Sequence, residues 1–229
     1  MPILSDLLSR VLFLAALPSV MGVSVTATLL VVSRDWRLNV FALAAQYFFV
    51  TLLMTQIIRV EMAAVKGLIG WVICLVFYLT EQQARSFQRA TDSQPKVSVQ
   101  NWFTARLEGW RHQGISTRAA FSFMAVVLVG VAVLASSLAM PLPQMSRGLT
   151  LVCYLLAGLG ILLLGLSQDP LRVGVGLLMF LSGFDIFYVA LEPSLVVTGL
   201  LGSISFVIAL GVAYLKAAQA AAGGEERLS

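Results

Sequence analysis

The run from Leu171 to Leu191, LRVGVGLLMFLSGFDIFYVAL, decides the fold. Asp169-Pro170 precedes it and Glu192-Pro193 follows it, and beyond Arg172 its one charge is Asp185. A hydrocarbon layer about 30 Å thick takes about 20 apolar residues to cross as a helix, because every backbone polar group there must be satisfied within the segment. The run has that length. So do Val11 to Ser33, Leu38 to Ile58, Met62 to Thr80, Ala119 to Met140, Gly148 to Leu166 and Leu195 to Leu215. Charges or prolines interrupt them where helix ends belong, at Arg34-Asp35-Trp36-Arg37, Arg59-Val60-Glu61 and Pro141-Leu142-Pro143. The expectation is an all-α integral membrane protein with seven transmembrane helices.

Composition supports this. Hydrophobic residues make up 59% of the chain and charged residues 11%, with mean hydropathy +0.92, whereas a soluble domain carries about 25% charged residues. The net charge of +4 sits between apolar runs and reads as membrane topology, so nucleic acid is not expected as a partner. The first run is too long for a signal-peptide core and reads as a retained helix, which Pro18 should kink.

Short cytoplasmic loops collect Lys and Arg. With seven spans, one side owns 11 basic residues and the other three, Arg10, Arg59 and Arg147. That imbalance predicts an outside N-terminus and a cytoplasmic C-terminus in the cell (inner) membrane. The chain then divides into a three-helix part (1–80), a cytoplasmic loop (81–118), a four-helix part (119–215) and a flexible tail (216–229). In the loop, Val99, Trp102, Phe103, Arg106 and Trp110 share one helical face. They suggest either an amphipathic helix on the inner membrane surface, with Trp102, Phe103 and Trp110 as interfacial residues, or a loop that is partner-covered or irregular.

Two ionisable groups lie at membrane depth, where charge is costly: Lys66 and Asp185. Counted from the outer ends of their spans at 1.5 Å per residue, they lie about 6 and 9 Å deep. Matched depth lets them pair if helices 3 and 6 touch. Otherwise Lys66 snorkels to the headgroups, and Asp185 is a protonated or Ser/Tyr-bonded carboxyl with a packing role. Gln46, Thr51, Thr55 and Gln56 on helix 2, and Ser182 beside Asp185, suit interhelical hydrogen bonds. Gly158, Gly160 and Gly165 on helix 5, Gly176 and Gly183 on helix 6, and Gly199, Ser203 and Gly211 on helix 7 predict close approach of those helices.

His112 is the only histidine, and Cys74 and Cys153 both fall in apolar runs, so no metal or other cofactor is expected. No phosphate-binding glycine loop followed by Lys, HExxH, GxSxG or paired-carboxylate cluster appears, and the chain is not expected to be an enzyme.

From Ser167 through Ile186, with Asp169-Pro170-Leu171-Arg172 opening the helix and Gly174 and Gly176 within it, the sequence resembles a family. Its members are the small three-helix subunit of complex I (the 4L or K-type), its counterpart in multisubunit sodium/proton antiporters, and component E of hydrogenase-4-type complexes. The likeness covers 148–215, and the hydrogenase member is similar to the whole chain in length, in an Arg-Leu pair like Arg37-Leu38 and in a Lys like Lys66. Aligned from Gly176, the family's intramembrane Glu falls on Leu178 or Leu181, and Asp185 follows on roughly the same face. The resemblance implies a non-catalytic membrane subunit among other membrane subunits, with Asp185, Lys66, Ser182 and Gln46 as candidates for a proton or cation path. The alternatives are a structural or assembly subunit without conduction and an independent small-solute transporter.

Overall fold

A computed structural model describes residues 18–33, 35–92, 117–139, 145–192 and 194–225. It contains seven helices and, among the described residues, no strand. They are α1 (Pro18–Val32), α2 (Trp36–Met54), α3 (Val60–Asp92), α4 (Thr117–Ala139), α5 (Arg147–Leu166), α6 (Pro170–Leu191) and α7 (Leu195–Glu225). The last six are long and apolar enough to cross a membrane, and α1 is a shorter apolar helix of the described residues. Phe41, Leu68, Leu128, Leu138 and Val196 are each more than two-thirds exposed. An outer surface so apolar belongs against lipid. The chain is a multi-pass membrane protein.

Local chemistry sets the helix ends. Ser146 caps α5 by accepting a hydrogen bond from Leu149 N. Pro170 opens α6 at a position where no N–H is needed. Beyond Met54, Gln56 N bonds to Leu53 O and Ile57 N to Met54 O, a tight final turn that stops α2 short of the expected Ile58. Two elements run longer than hydropathy suggests. The expected cytoplasmic loop starts as helix, because α3 continues to Asp92, and the expected tail from Lys216 is helical to Glu225. At 1.5 Å per residue, α3 is about 50 Å long, well beyond the hydrocarbon thickness.

Four helices close a ring in the order α2, α3, α7, α6, each packed on its neighbours. The broadest contact is between α5 and α6, and α4 leans on α5 from outside. Helix α1 lies near α2 and α5, where Gly22 faces the Phe49 ring and Gly148 faces Val20. The α5–α6 seam depends on glycine. A Cβ on Gly160 would lie 2.7 Å from Phe180 N and 2.9 Å from Gly176 O, and one on Gly183 would lie 3.0 Å from Cys153 O. The backbones meet there because lipid supplies no hydrophobic force between helices, and close packing does the holding.

Gly158 instead faces Val129 and Val133 of α4. For Gly165, Gly199 and Gly211 the expectation of close packing fails: a Cβ at any of them would meet nothing within 4 Å, because these positions point away from the neighbouring helices. The α2–α3 contact uses glycines of its own, with Gly70 under the Tyr47 ring and Gly67 against Thr51. Thr51 and Thr55 donate to carbonyls of their own helix, Tyr47 O and Leu52 O, both at 2.7 Å, rather than across to another helix. Back-bonding of this kind satisfies a hydroxyl where water is absent. The kink expected at Pro18 and the surface-helix residues Trp102, Phe103 and Trp110 lie at or outside the limits of the described residues.

Candidate functional site

A buried ion pair spans the ring. Lys66 stands on α3 six residues after its start, and Asp185 on α6 six residues before its end. Since α3 and α6 face each other across the ring, the Lys66 ammonium reaches inward and contacts Asp185 Oδ2. The two side chains are 4% and 3% exposed, so Lys66 does not snorkel. Its partner has a second oxygen, Asp185 Oδ1, with no hydrogen bond.

Ser182 lies one turn below Asp185 on the same face, is buried, and donates to Leu178 O at 2.8 Å. The buried Tyr47 of α2 lies close to Ser182. Gln46, beside Tyr47, is 2% exposed, and neither its amide nitrogen nor its amide oxygen has a partner. The structure therefore brings Lys66 and Asp185 together, places Ser182 one turn away on α6, and sets Gln46 in the same helix bundle without a direct bond to them.

Such a centre is costly to build. Bringing two charges out of water costs several kcal/mol each, and mutual attraction repays this only with good geometry and further hydrogen bonds. Here Asp185 Oδ1 and the Gln46 amide are left with unmet bonding capacity. Buried polar atoms in that condition hold water, take up a proton or mark a function. Leu178 is fully buried in the ring, on the stripe that continues to Ser182 and Asp185.

A second polar cluster closes the other end of the ring and was not anticipated from sequence. Arg85 grips Glu81 Oε1 through Nε at 3.2 Å and Nη2 at 3.1 Å. Lys216 of α7 bonds to Asp169 Oδ1 at 2.5 Å and sits 3.9 Å from Glu81 Oε2. Arg172 Nη2 donates to the carbonyls of Ser33 at 2.5 Å and Val31 at 3.4 Å, tying the end of α1 to the start of α6. The guanidinium groups of Arg85 and Arg37 lie 4.9 and 5.4 Å from the Trp36 ring centroid. Trp36, Glu81, Arg85, Asp169, Arg172 and Lys216 line a cavity of about 230 Å³ together with Val40, Phe77 and Val175.

Among the described residues, no three His, Cys, Asp or Glu side chains come together to hold a metal, and Cys74 and Cys153 are free, buried thiols. Comparison with protein-family models, with curated proteins and with solved structures yields no match.

Proposed function

We propose that this chain is a non-catalytic membrane subunit of a complex I, hydrogenase or cation–proton antiporter-like assembly in the cell membrane, and that it carries part of a proton or cation path through Asp185 and Lys66. The observation that carries this reading is the buried Lys66–Asp185 pair on the axis of the α2–α3–α7–α6 ring. Charge at membrane depth is retained where it moves ions, relays protons or binds a charged partner. The unmet Asp185 Oδ1 offers a place for a proton, and Ser182, Tyr47 and Gln46 extend the polar row along the ring. The sequence likeness around Leu171 to Ile186 supports the choice of assembly, with the carboxylate displaced along one face of α6. In this reading the N-terminus is outside, Asp185 lies toward the outer side, and the Glu81 end faces the cytoplasm, as the distribution of Lys and Arg favours.

Asp185→Asn in the native membrane tests the proposal. The expected result is an assembly that forms at wild-type level but loses at least tenfold in coupled ion movement. Full coupling in that variant would make the pair a structural tie and the chain an assembly subunit. Ion movement by the purified chain alone in vesicles would instead mark an independent transporter.

A further inference from the structure

The 230 Å³ cavity lies where α3 and α7 leave lipid, since Glu81 and Lys216 directly follow the apolar runs that end at Thr80 and Leu215. Trp36 in its wall is of the residue type that settles at headgroup level. Arg85 and Asp169, with side chains 45% and 41% exposed, stand at the mouth, whereas Asn39 and Glu81, 8% and 7% exposed, lie inside. The cavity is smaller than the roughly 300–1,000 Å³ that drug-sized ligands occupy, and it suits a small polar group.

Two kinds of bonding capacity are unused there. The first is charge: three cations, Arg85, Arg172 and Lys216, face two carboxylates, Glu81 and Asp169. Lys216 gives one of its three N–H groups to Asp169 and stands 3.9 Å from Glu81, too far for a hydrogen bond, while Arg85 spends Nε and Nη2 on Glu81 and keeps Nη1. The second is a pair of buried acceptors with no hydrogen bond, Asn39 Oδ1 and Glu81 Oε2. An ammonium would satisfy them only by placing like charge beside Lys216. A hydroxyl donates without charge, and because it also accepts it serves either orientation of the Asn39 amide. Water would fill the acceptors but leave the surplus positive charge, whereas a phosphate bearing hydroxyls answers both.

We propose that this cavity binds a phosphate with neighbouring hydroxyl groups, the chemistry of a glycerophosphate. The phosphate oxygens accept from Lys216 and Arg85 near the mouth, Arg172 adds positive charge, and a hydroxyl reaches inward to Asn39 Oδ1 and Glu81 Oε2. Basic pockets between helices at a membrane surface hold anionic headgroups by the same physics. A phosphatidylglycerol of the surrounding leaflet and free glycerol phosphate both carry the group. Bound there it would tie α2, α3, α6 and α7 together at one end of the ring, and its binding does not depend on ion movement through Asp185.

The test is native mass spectrometry of the full chain in a neutral detergent, titrated with phosphatidylglycerol and with phosphatidylmethanol, which has the same charge and no hydroxyl. The expected result is a single saturable phosphatidylglycerol per chain, held at least about fivefold more tightly than phosphatidylmethanol, the factor that one hydrogen bond supplies. Lys216→Met should weaken both lipids by about tenfold or more, as loss of a charged donor does. Asn39→Leu keeps the charge and should remove only the preference for phosphatidylglycerol. The same pair in soluble form, glycerol 3-phosphate and methyl phosphate, tests supply from solution. A hydroxyl preference in the lipid pair assigns the bilayer as the source, and one in the soluble pair alone assigns the aqueous phase. No hydroxyl preference in either pair would overturn the proposal, as would a preference that survives Asn39→Leu. The comparison on the wild-type chain decides the matter even where a variant does not fold.

Discussion

Removing one member of the Lys66–Asp185 pair should destabilise the bundle more than removing both. With side chains 4% and 3% exposed, neither charge has water to fall back on. Breaking a buried pair by deleting one partner costs about 3–5 kcal/mol, because the other charge is left uncompensated. The helices stay inserted when a membrane bundle separates, so part of that cost persists in the separated state and the lower end, about 3 kcal/mol each, applies to Lys66→Met and Asp185→Asn. Independent losses would sum to roughly 6 kcal/mol. The double variant carries no unpaired charge and should be no less stable than either single variant, which makes the non-additivity about 3 kcal/mol or more. Reversible unfolding in mixed micelles, followed by tryptophan fluorescence, measures all four proteins. Losses that add to within about 0.5 kcal/mol would refute the reasoning, since that is how non-interacting sites behave.

At the α5–α6 seam, Gly160→Ala places a Cβ 2.7 Å from Phe180 N and should cost about 1–3 kcal/mol in the same unfolding assay. Gly199→Ala, which meets nothing within 4 Å, should stay within about 0.5 kcal/mol of wild type. Tyr47→Phe deletes a buried hydroxyl beside Ser182 and should cost about 1 kcal/mol without preventing assembly. Lys216 is 21% exposed and Asp169 41%, so Lys216→Met should cost no more than about 1 kcal/mol and the effect should shrink as salt is added. The cost of Lys66→Met should not respond to salt, and equal salt sensitivity at the two sites would contradict the burial difference.

The central pair was legible in the sequence because helix geometry is regular. Once the ends of the third and sixth spans are set, a rise of 1.5 Å per residue places Lys66 and Asp185 at similar depth, and the two are the only clear candidates. Hydropathy could not show where helices stop once they leave lipid. Glu81 and Lys216 were read as loop and tail, yet both stand on helices that continue into polar surroundings. Signals for this were present in the Glu81–Arg85 spacing and in the alanine-rich stretch after Lys216, which favours helix. Glycine positions were readable only in part. Gly160, Gly176 and Gly183 face a neighbouring backbone and Gly199 does not, and which side of an apolar helix meets protein depends on the whole arrangement. For the same reason Gly67 and Gly70 escaped notice, since their partners Thr51 and Tyr47 lie on another helix.

The proposed path requires Asp185 to change protonation as ions move. Isotope-edited infrared difference spectroscopy on the assembly in native membranes, with labelled aspartate and turnover started in place, reads this directly. The expected result is a carboxylic-acid carbonyl band that appears during turnover, is reversed when turnover stops, and is absent from Asp185→Asn. A carboxylate band for Asp185 that stays constant throughout turnover would contradict it and leave the Lys66–Asp185 pair as a fixed structural tie.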